Sequence, residues 1–596
     1  MSTIMDRVAG ETVARKFLET VERNPDVVAL RNPDGDGWVE WTWADYAEKT
    51  ARAAAGLRKL GVKPGDRIVL MMRNCIEFYA LDMAALMLGA TPVSIYNSSA
   101  PDQIEYLVGH CSASVGIVGD DSFLAGFEPV RGALPSLKSI GVVTAGDRAH
   151  DFTFAELLDN EPLDLDAEAA TGNPEDLATV IYTSGTTGPP KGVMITNENA
   201  VFMVESLRER LVLTDDESKD MRMVSYLPMA HIAERTVSHY QHAIRGFQVT
   251  SCPEPSQVAV FCGQVKPHIL FGVPRVFEKM YAGVTAAIAA DPENEKKFNE
   301  AVEASREIAI RRSWGTATEE DEATWSFLDE VAFKGVRQLL GLDELLTAIT
   351  GAAPIPPELL SWFRAIGIPM SEVYGMSENT GAMTWVPERI KPGTVGTAVP
   401  GTEVRIADDG EVICRGAHVF AGYLNDPEKT ADTIIDGWLH SGDIGEIDDD
   451  GYLRIVDRKK ELIITAGGKN VSPANLEAAL KMIPLVGQAA AIGDKRPFIS
   501  ALVVLDPDAA KVWAEQRDIA YETMEELAQN PAIIAEIEGQ LDEAMEGFNN
   551  AERVKKIKIL GDEWMPDSEM LTPTSKLKRR GVNERFGDLI ESIYAR

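Results

Sequence analysis

Tyr182-Thr-Ser-Gly-Thr-Thr-Gly-Pro-Pro-Lys-Gly192 follows the apolar run Ala178–Ile181 and packs hydroxyls, glycines and a lysine into eleven residues. Glycines let the backbone turn its N–H groups toward an anion, and hydroxyls add donors for phosphate oxygens. Thr183, Ser184, Gly185, Thr186, Thr187, Gly188 and Lys191 are therefore candidate phosphate contacts. The loop is not a Walker A motif, which needs Gly-Lys-Ser/Thr; here Lys191 stands between Pro190 and Gly192. The simplest alternative is a polar hairpin between two strands.

Outward from this loop the chain alternates. Before it come the apolar run Arg67–Met72, a helical stretch Cys75–Leu88, a strand Thr91–Ile95, a helix Asp102–His110 and the run Ser114–Val118. Strands alternating with helices of this length predict βαβ units and a parallel sheet. The alternation returns after residue 195, which predicts two sheet-helix lobes. Residues from about 283 to 330 are rich in Ala, Glu, Lys and Arg and poor in Gly and Pro, as in an inserted surface-lying helical segment. From Gly393 to Leu453 short strands with Gly and Asp turns predict a small antiparallel unit, barrel-like in texture. A boundary at Asp457–Lys460 divides the chain into an α/β domain, 1–457, and a smaller α+β domain, 458–596.

The composition of the 596 residues, 45% hydrophobic and 25% charged, is that of a globular protein. A net charge of −35 argues against general binding to nucleic acid or anionic membrane, which favour basic surfaces. The N-terminus lacks the apolar core of a secretory signal, and no apolar run is long enough to span a bilayer. Five dispersed cysteines without a C-x-x-C suit reduced thiols, so the reading is a cytoplasmic protein.

The phosphate loop resembles the signature loop of the adenylate-forming superfamily: acyl-CoA synthetases, luciferases and peptide-synthetase adenylation domains. Further motifs of that family follow in order. They are Leu227-Pro-Met-Ala-His231, Gly351-Ala-Ala-Pro354, Tyr374-Gly-Met-Ser-Glu378, Gly437-Trp-Leu-His-Ser-Gly-Asp443, Asp457-Arg-Lys-Lys460 and Leu571-Thr-Pro-Thr-Ser-Lys576. The resemblance implies a role for each. His231 lies beside the acyl carboxylate, Gly351, Ala352, Ala353, Tyr374, Gly375 and Ser377 line the nucleotide, and Glu378 holds Mg. Asp443, assisted by Arg458, accepts from the ribose hydroxyls. Lys460 is the hinge of a mobile C-terminal domain, and Lys576 is the catalytic lysine of adenylation, with Thr186, Glu378 and His231 beside it. Ser377 replaces the family's commoner Thr and keeps the hydroxyl.

Val273-Pro-Arg-Val-Phe-Glu-Lys279, the helical insertion and the run Arg458–Asn470 look most like bacterial long-chain acyl-CoA synthetases. The implied substrates are a fatty acid, ATP with Mg, and coenzyme A. The nearest rival is a fatty acyl-AMP ligase that loads a carrier protein, but 451–470 carries no insertion at the hinge. A non-catalytic nucleotide sensor would be expected to lack Lys576 or Glu378, and both are present. The basic stretches Arg553–Lys558 and Lys576–Arg580 are short, which allows at most transient contact with lipid. Three further patterns are decoys. Glu446-x-Asp448-x-Asp450-Gly451 imitates a calcium loop but reads as a hairpin turn. His231, His239 and His242 lack the H-E-x-x-H pattern of a metal site. Gly375–Asn379 is not G-x-S-x-G.

Overall fold

The computed structural model describes residues 3–183, 189–464, 470–550, 552–565, 568–572 and 576–595. Its first sheet is the one the alternation predicts. Thr91–Ser94, Arg67–Met71, Val115–Val118, Ser139–Val142 and Phe152–Thr153 lie side by side in that order, all parallel. Helices cover both faces, so these strands are runs of Val, Ile and Leu rather than alternating ones.

The second sheet has eight strands. Its parallel centre comprises Met370–Tyr374, Thr347–Thr350, Ile269–Gly272, Arg222–Ser225, Gln248–Ser251 and Val28–Asp34. Antiparallel strands Thr384–Trp385 and Gly37–Thr42 close its two edges. Leu30 pairs with Val249, so the first two strands of the chain are built into a lobe otherwise formed after residue 195.

Between the lobes runs the helix Ile76–Met87, with Ile76 and every residue from Phe78 to Met87 buried. A helix apolar on all sides belongs in a core, where each fully buried Leu, Ile, Phe or Met side chain stabilises by about 1.5–3 kcal/mol. Its one deep carboxylate, Asp82, is wholly buried and must be compensated. Arg235 Nη2 lies 2.6 Å from Asp82 Oδ2, and His239 Nε2 lies 2.8 Å from Oδ1.

The inserted segment is helical, although its first helix begins earlier than composition suggests: Pro274–Ala289, then Pro292–Trp314 and Glu319–Leu328. Phe298, Ala301, Val302, Ser305, Ile308 and Ala309 form the inner stripe of the long helix, at helical spacing. Glu319, Glu320, Asp321 and Glu322 sit in the first turn of the next, where the helix dipole favours negative charge.

The small unit is a five-stranded antiparallel sheet, with Trp438–Ile447 pairing Glu411–Arg415 along one part and Leu453–Arg458 along another. The pairing with Leu453–Arg458 carries a bulge between Ile444 and Gly445. A Cβ on Gly445 would meet Val412 Cγ2 at 2.7 Å and the Arg454 carbonyl at 2.9 Å, so only glycine fits there. The acidic turn after this strand is a hairpin turn, as the sequence reading has it, and Lys391 Nζ pairs with both Asp448 and Asp450.

Beyond residue 458, Val486–Ile492 pairs antiparallel with Ile499–Leu505, which pairs parallel with Val554–Leu560. The basic run from Arg553 is therefore largely a sheet strand. This part has its own core around Leu476, Leu480, Val503, Ile533 and Ile537. Three side chains of the Val273–Lys279 segment reach across to it. Arg275 pairs with Asp506, Glu278 with Lys481 at 3.3 Å and Lys279 with Asp508 at 3.6 Å.

Candidate active site

A cleft of about 2680 Å³ opens between the large domain and the C-terminal part. Strands Leu177–Thr183 and Lys191–Thr196 form an antiparallel hairpin in which Thr183 faces Lys191, and both residues line the cleft. The hairpin and phosphate-loop readings are thus compatible. The returning arm is pinned by Tyr106, whose hydroxyl donates to the Pro190 carbonyl at 2.9 Å. Ser184, Gly185, Thr186, Thr187 and Gly188 lie outside the described residues. Lys191 Nζ stands 5.3 Å from the centre of the Tyr423 ring. Burial and then the nearby Lys429 lower its pKa, while Glu378 opposes them.

His231 ends the Leu227–His231 segment and caps the short helix Ile232–Glu234, its Nδ1 accepting from the Ala233 N–H at 3.2 Å. Burial, and then the charge of Lys576, push its pKa down to about 3. It is therefore neutral, with Nδ1 as acceptor, which puts its proton on Nε2. Glu378 is 8% exposed, and Oε1 accepts from the Tyr423 hydroxyl at 2.7 Å.

Asp443 and Arg458 are directly opposite in adjacent strands, with Nε 3.6 Å from Oδ1. The Tyr374 hydroxyl donates to Asp443 Oδ2 at 2.5 Å. Tyr374, assigned by resemblance to the nucleotide, thus also orients this carboxylate while lining the cleft. Burial raises the Asp443 pKa above its ordinary value, against the pull of Arg458 and the Tyr374 hydrogen bond.

Ala352 and Ala353 line the cleft, and Ala352 adopts φ 68°. Gly351 does not line it. A Cβ there would lie 2.7 Å from Val373 Cγ1 and 2.8 Å from the Val373 carbonyl, so this glycine serves close strand packing. Gly375 and Ser377 line the cleft, and a Cβ on Gly375 would come within 2.3 Å of the Gly381 carbonyl.

Lys576 comes from the far side. Its backbone N–H donates to Thr572 Oγ1 at 3.0 Å and its carbonyl accepts from Thr572 N–H at 2.8 Å, which ties the loop ends together. The side chain enters the cleft where burial, and then Arg458, lower its pKa to about 8, while Asp443 and Glu378 oppose them. Lys460, in an exposed turn, also lines the cleft.

Known proteins resemble this chain in sequence and in fold. Residues 17–424 match the model of the AMP-binding enzyme family, and residues 460–596 match that of the AMP-binding enzyme C-terminal domain. The chain belongs to the AMP-binding enzymes. A long-chain-fatty-acid–CoA ligase of Mycobacterium bovis is 35% identical, over 98% of this chain and 97% of its own. One from Xenopus laevis is 32% identical, over 98% and 84%. The crystal structure of an anthranilate CoA ligase in complex with anthranoyl-AMP superposes with a TM-score of 0.74 at 21% identity, over 98% of each chain, and so shares the fold.

Residues that sequence reading passed over also shape this AMP-binding enzyme. Arg235 Nε donates to the Met229 carbonyl at 3.1 Å, and Asn74 Nδ2 donates to the Leu227 carbonyl at 2.9 Å. The segment carrying His231 is thus held from behind. Glu234 accepts from Ser225 and Ser238, both at 2.7 Å, and burial raises its pKa to about 7. Glu372 lines the cleft, and burial raises its pKa to about 8. A carboxylate in an otherwise apolar helix, as at Asp82, was the signal that could have found the first of these networks. The histidine decoys resolve as structural: His239 pairs with Asp82, and His242 Nδ1 lies 2.5 Å from the Phe247 carbonyl with its ring stacked on Trp43. Among the described residues no group of His, Cys, Asp and Glu could hold a metal ion by itself, and no helix is long and apolar enough to cross a membrane.

Proposed function

We propose that this AMP-binding enzyme is a long-chain fatty acid–CoA ligase that works through an acyl-AMP intermediate. The observation that carries the reading is the entry of Lys576 into a cleft bearing Asp443, Glu378 and His231. The relatives' names support the fatty-acid and coenzyme A assignments.

In the first half-reaction a fatty-acid carboxylate oxygen bonds to the α-phosphorus of ATP and pyrophosphate leaves. Two anions must meet, so cations and N–H donors have to offset their repulsion and the transition-state charge. Lys576 supplies a positive charge to the acyl carboxylate and α-phosphate oxygens. Neutral His231 offers Nε2–H to the acyl carboxylate. Thr183, Lys191 and the loop residues 184–188 take the β- and γ-phosphates, and Asp443 accepts from the ribose hydroxyls with Arg458 beside it.

Mg fits this donor set. One oxygen of Glu378 is engaged by Tyr423, and no hydrogen bond to the other is found among the described residues, which suits a hard cation completed by substrate phosphates and water rather than by a protein cage. When bound, Mg would neutralise phosphate charge as the transfer proceeds.

In the second half-reaction the coenzyme A sulfur attacks the acyl carbonyl carbon and AMP leaves. Lys576 occupies the cleft before that step. A turn of domain 458–596 about Lys460 would withdraw it and would have to break the Arg275–Asp506 and Glu278–Lys481 pairs.

Mass spectrometry of products from the protein, ATP, Mg and a panel of fatty acids, with and without coenzyme A, tests the reading. Acyl-CoA and AMP that depend on coenzyme A are the expected result. Acyl-AMP accumulating regardless of coenzyme A would instead identify a carrier-protein ligase, and no AMP with any acid would overturn the fatty-acid assignment.

A further inference from the structure

A second cavity of about 40 Å³ adjoins the cleft. Ala233, Phe271, Val373 and Gly381 line both. The narrow slot runs between the second sheet, which contributes Met223, Ile269, Ile349 and Trp385, and the helical stretch that follows His231. That stretch widens into a π turn over Arg235–Tyr240 and offers the slot a file of side chains, Ala233, Val237 and Gln241. Gln241 follows Ala233 by eight residues, a depth on the order of 10 Å at helical rise.

The slot is apolar except for Thr236 and Gln241. Thr236 is satisfied, its hydroxyl donating to the Thr380 carbonyl at 3.1 Å. Gln241 is 5% exposed, and its side-chain carbonyl has no hydrogen-bond partner among the described residues. A buried carbonyl oxygen without a partner is unfavourable, and a leucine at this position would not carry that cost. The amide therefore suits an occupant that brings its own hydrogen-bonding group to that depth.

Resting on the ligase reading above, we infer that Gln241 is a specificity-determining residue of the acyl slot. It selects acyl chains that carry a hydroxyl part-way along, at the carbon reaching Gln241. The unpartnered Oε1 is an acceptor, so a hydroxyl can donate to it. Sites built to pair a polar group reject analogues that lack it far more strongly than an apolar pocket rejects a methylene.

The test is a positional scan. Pyrophosphate release is measured for the unsubstituted sixteen-carbon acid and for a series with one hydroxyl moved along the chain. One position should exceed the unsubstituted acid by about tenfold or more in kcat/KM, with the others below it. In Gln241→Leu that maximum should vanish while the unsubstituted acid is used as well or better. The scan on the unaltered protein stands alone if the variant fails to fold. A profile without a maximum, in a protein active on the unsubstituted acid, overturns this inference and leaves the ligase reading intact. A maximum that survives in folded Gln241→Leu overturns the assignment to Gln241. Pyrophosphate release with none of the acids overturns the ligase reading and this inference with it.

Discussion

Asp82, wholly buried, and Asp443, half-buried on the cleft wall, are both carboxylates beside an arginine, yet their environments differ in sign. Asp82 is fully enclosed, with Arg235 at 2.6 Å and His239 at 2.8 Å, and these partners hold its pKa below the ordinary value despite burial. Asp443 has Arg458 only at 3.6 Å and a tyrosine hydroxyl at 2.5 Å, and burial holds its pKa above that value. Both oxygens of the first carboxylate are paired at close range. The second keeps a carboxylate under-compensated on a cleft wall, the state expected of a group that waits for a ligand's hydroxyls.

The comparison breaks most sharply through Asp82→Ala. Removing one member of a buried pair leaves Arg235 uncompensated, so thermal or denaturant unfolding should register a loss of about 3–5 kcal/mol. Lys576→Ala strikes the other site with little stability cost but should slow acyl-AMP formation by about 10²–10³-fold. Thioester formation from pre-made acyl-AMP should suffer much less, and equal loss in both half-reactions would remove Lys576 from its role.

Asp82→Asn and Asp443→Asn sharpen the contrast through pH. A lowered folded pKa means that Asp82 adds stability above the ordinary value of 3.8 and loses it as pH falls through the folded pKa. A raised folded pKa means the reverse for Asp443: its contribution is greatest below 3.8 and is lost as pH rises through the folded pKa. Unfolding curves of the two variants against the parent should therefore diverge with opposite slopes in acid. A common slope would refute the distinction.

A smaller effect should appear in catalysis at alkaline pH. With its pKa near 8, Lys576 loses its charge above that pH, so kcat/KM for ATP should fall there. Lys576→Arg should remove that limb. The smallest effect is at the domain contact, where Arg275→Ala should change stability by about 1 kcal/mol or less, as for a partly exposed pair. It should alter the ratio of the two half-reaction rates, measured by single turnover, and an unchanged ratio would mean that the pair does not restrain the domain.

The sequence already determined a good deal. The βαβ alternation from Arg67 to Val118 is written in local periodicity, whereas the hairpin flanking the phosphate loop stood in the sequence only as the alternative to a phosphate site. The resemblance carried by the motifs from Thr183 to Lys576 pointed to residues that line the cleft, among them Thr183, His231, Tyr374, Asp443 and Lys576. Tertiary structure alone decided which of them meet. Gly351 shares a motif with Ala352 yet packs against Val373, because the chain turns at Ala352, where φ is 68°, and only the residues from there on face the cleft. Asp82, Arg235 and His239 lie up to 157 residues apart in sequence, and only the packing of a wholly buried helix joins them. Gln241 is an ordinary helical glutamine in the sequence. Its meaning comes from the absence of a partner, and burial by distant strands creates that absence.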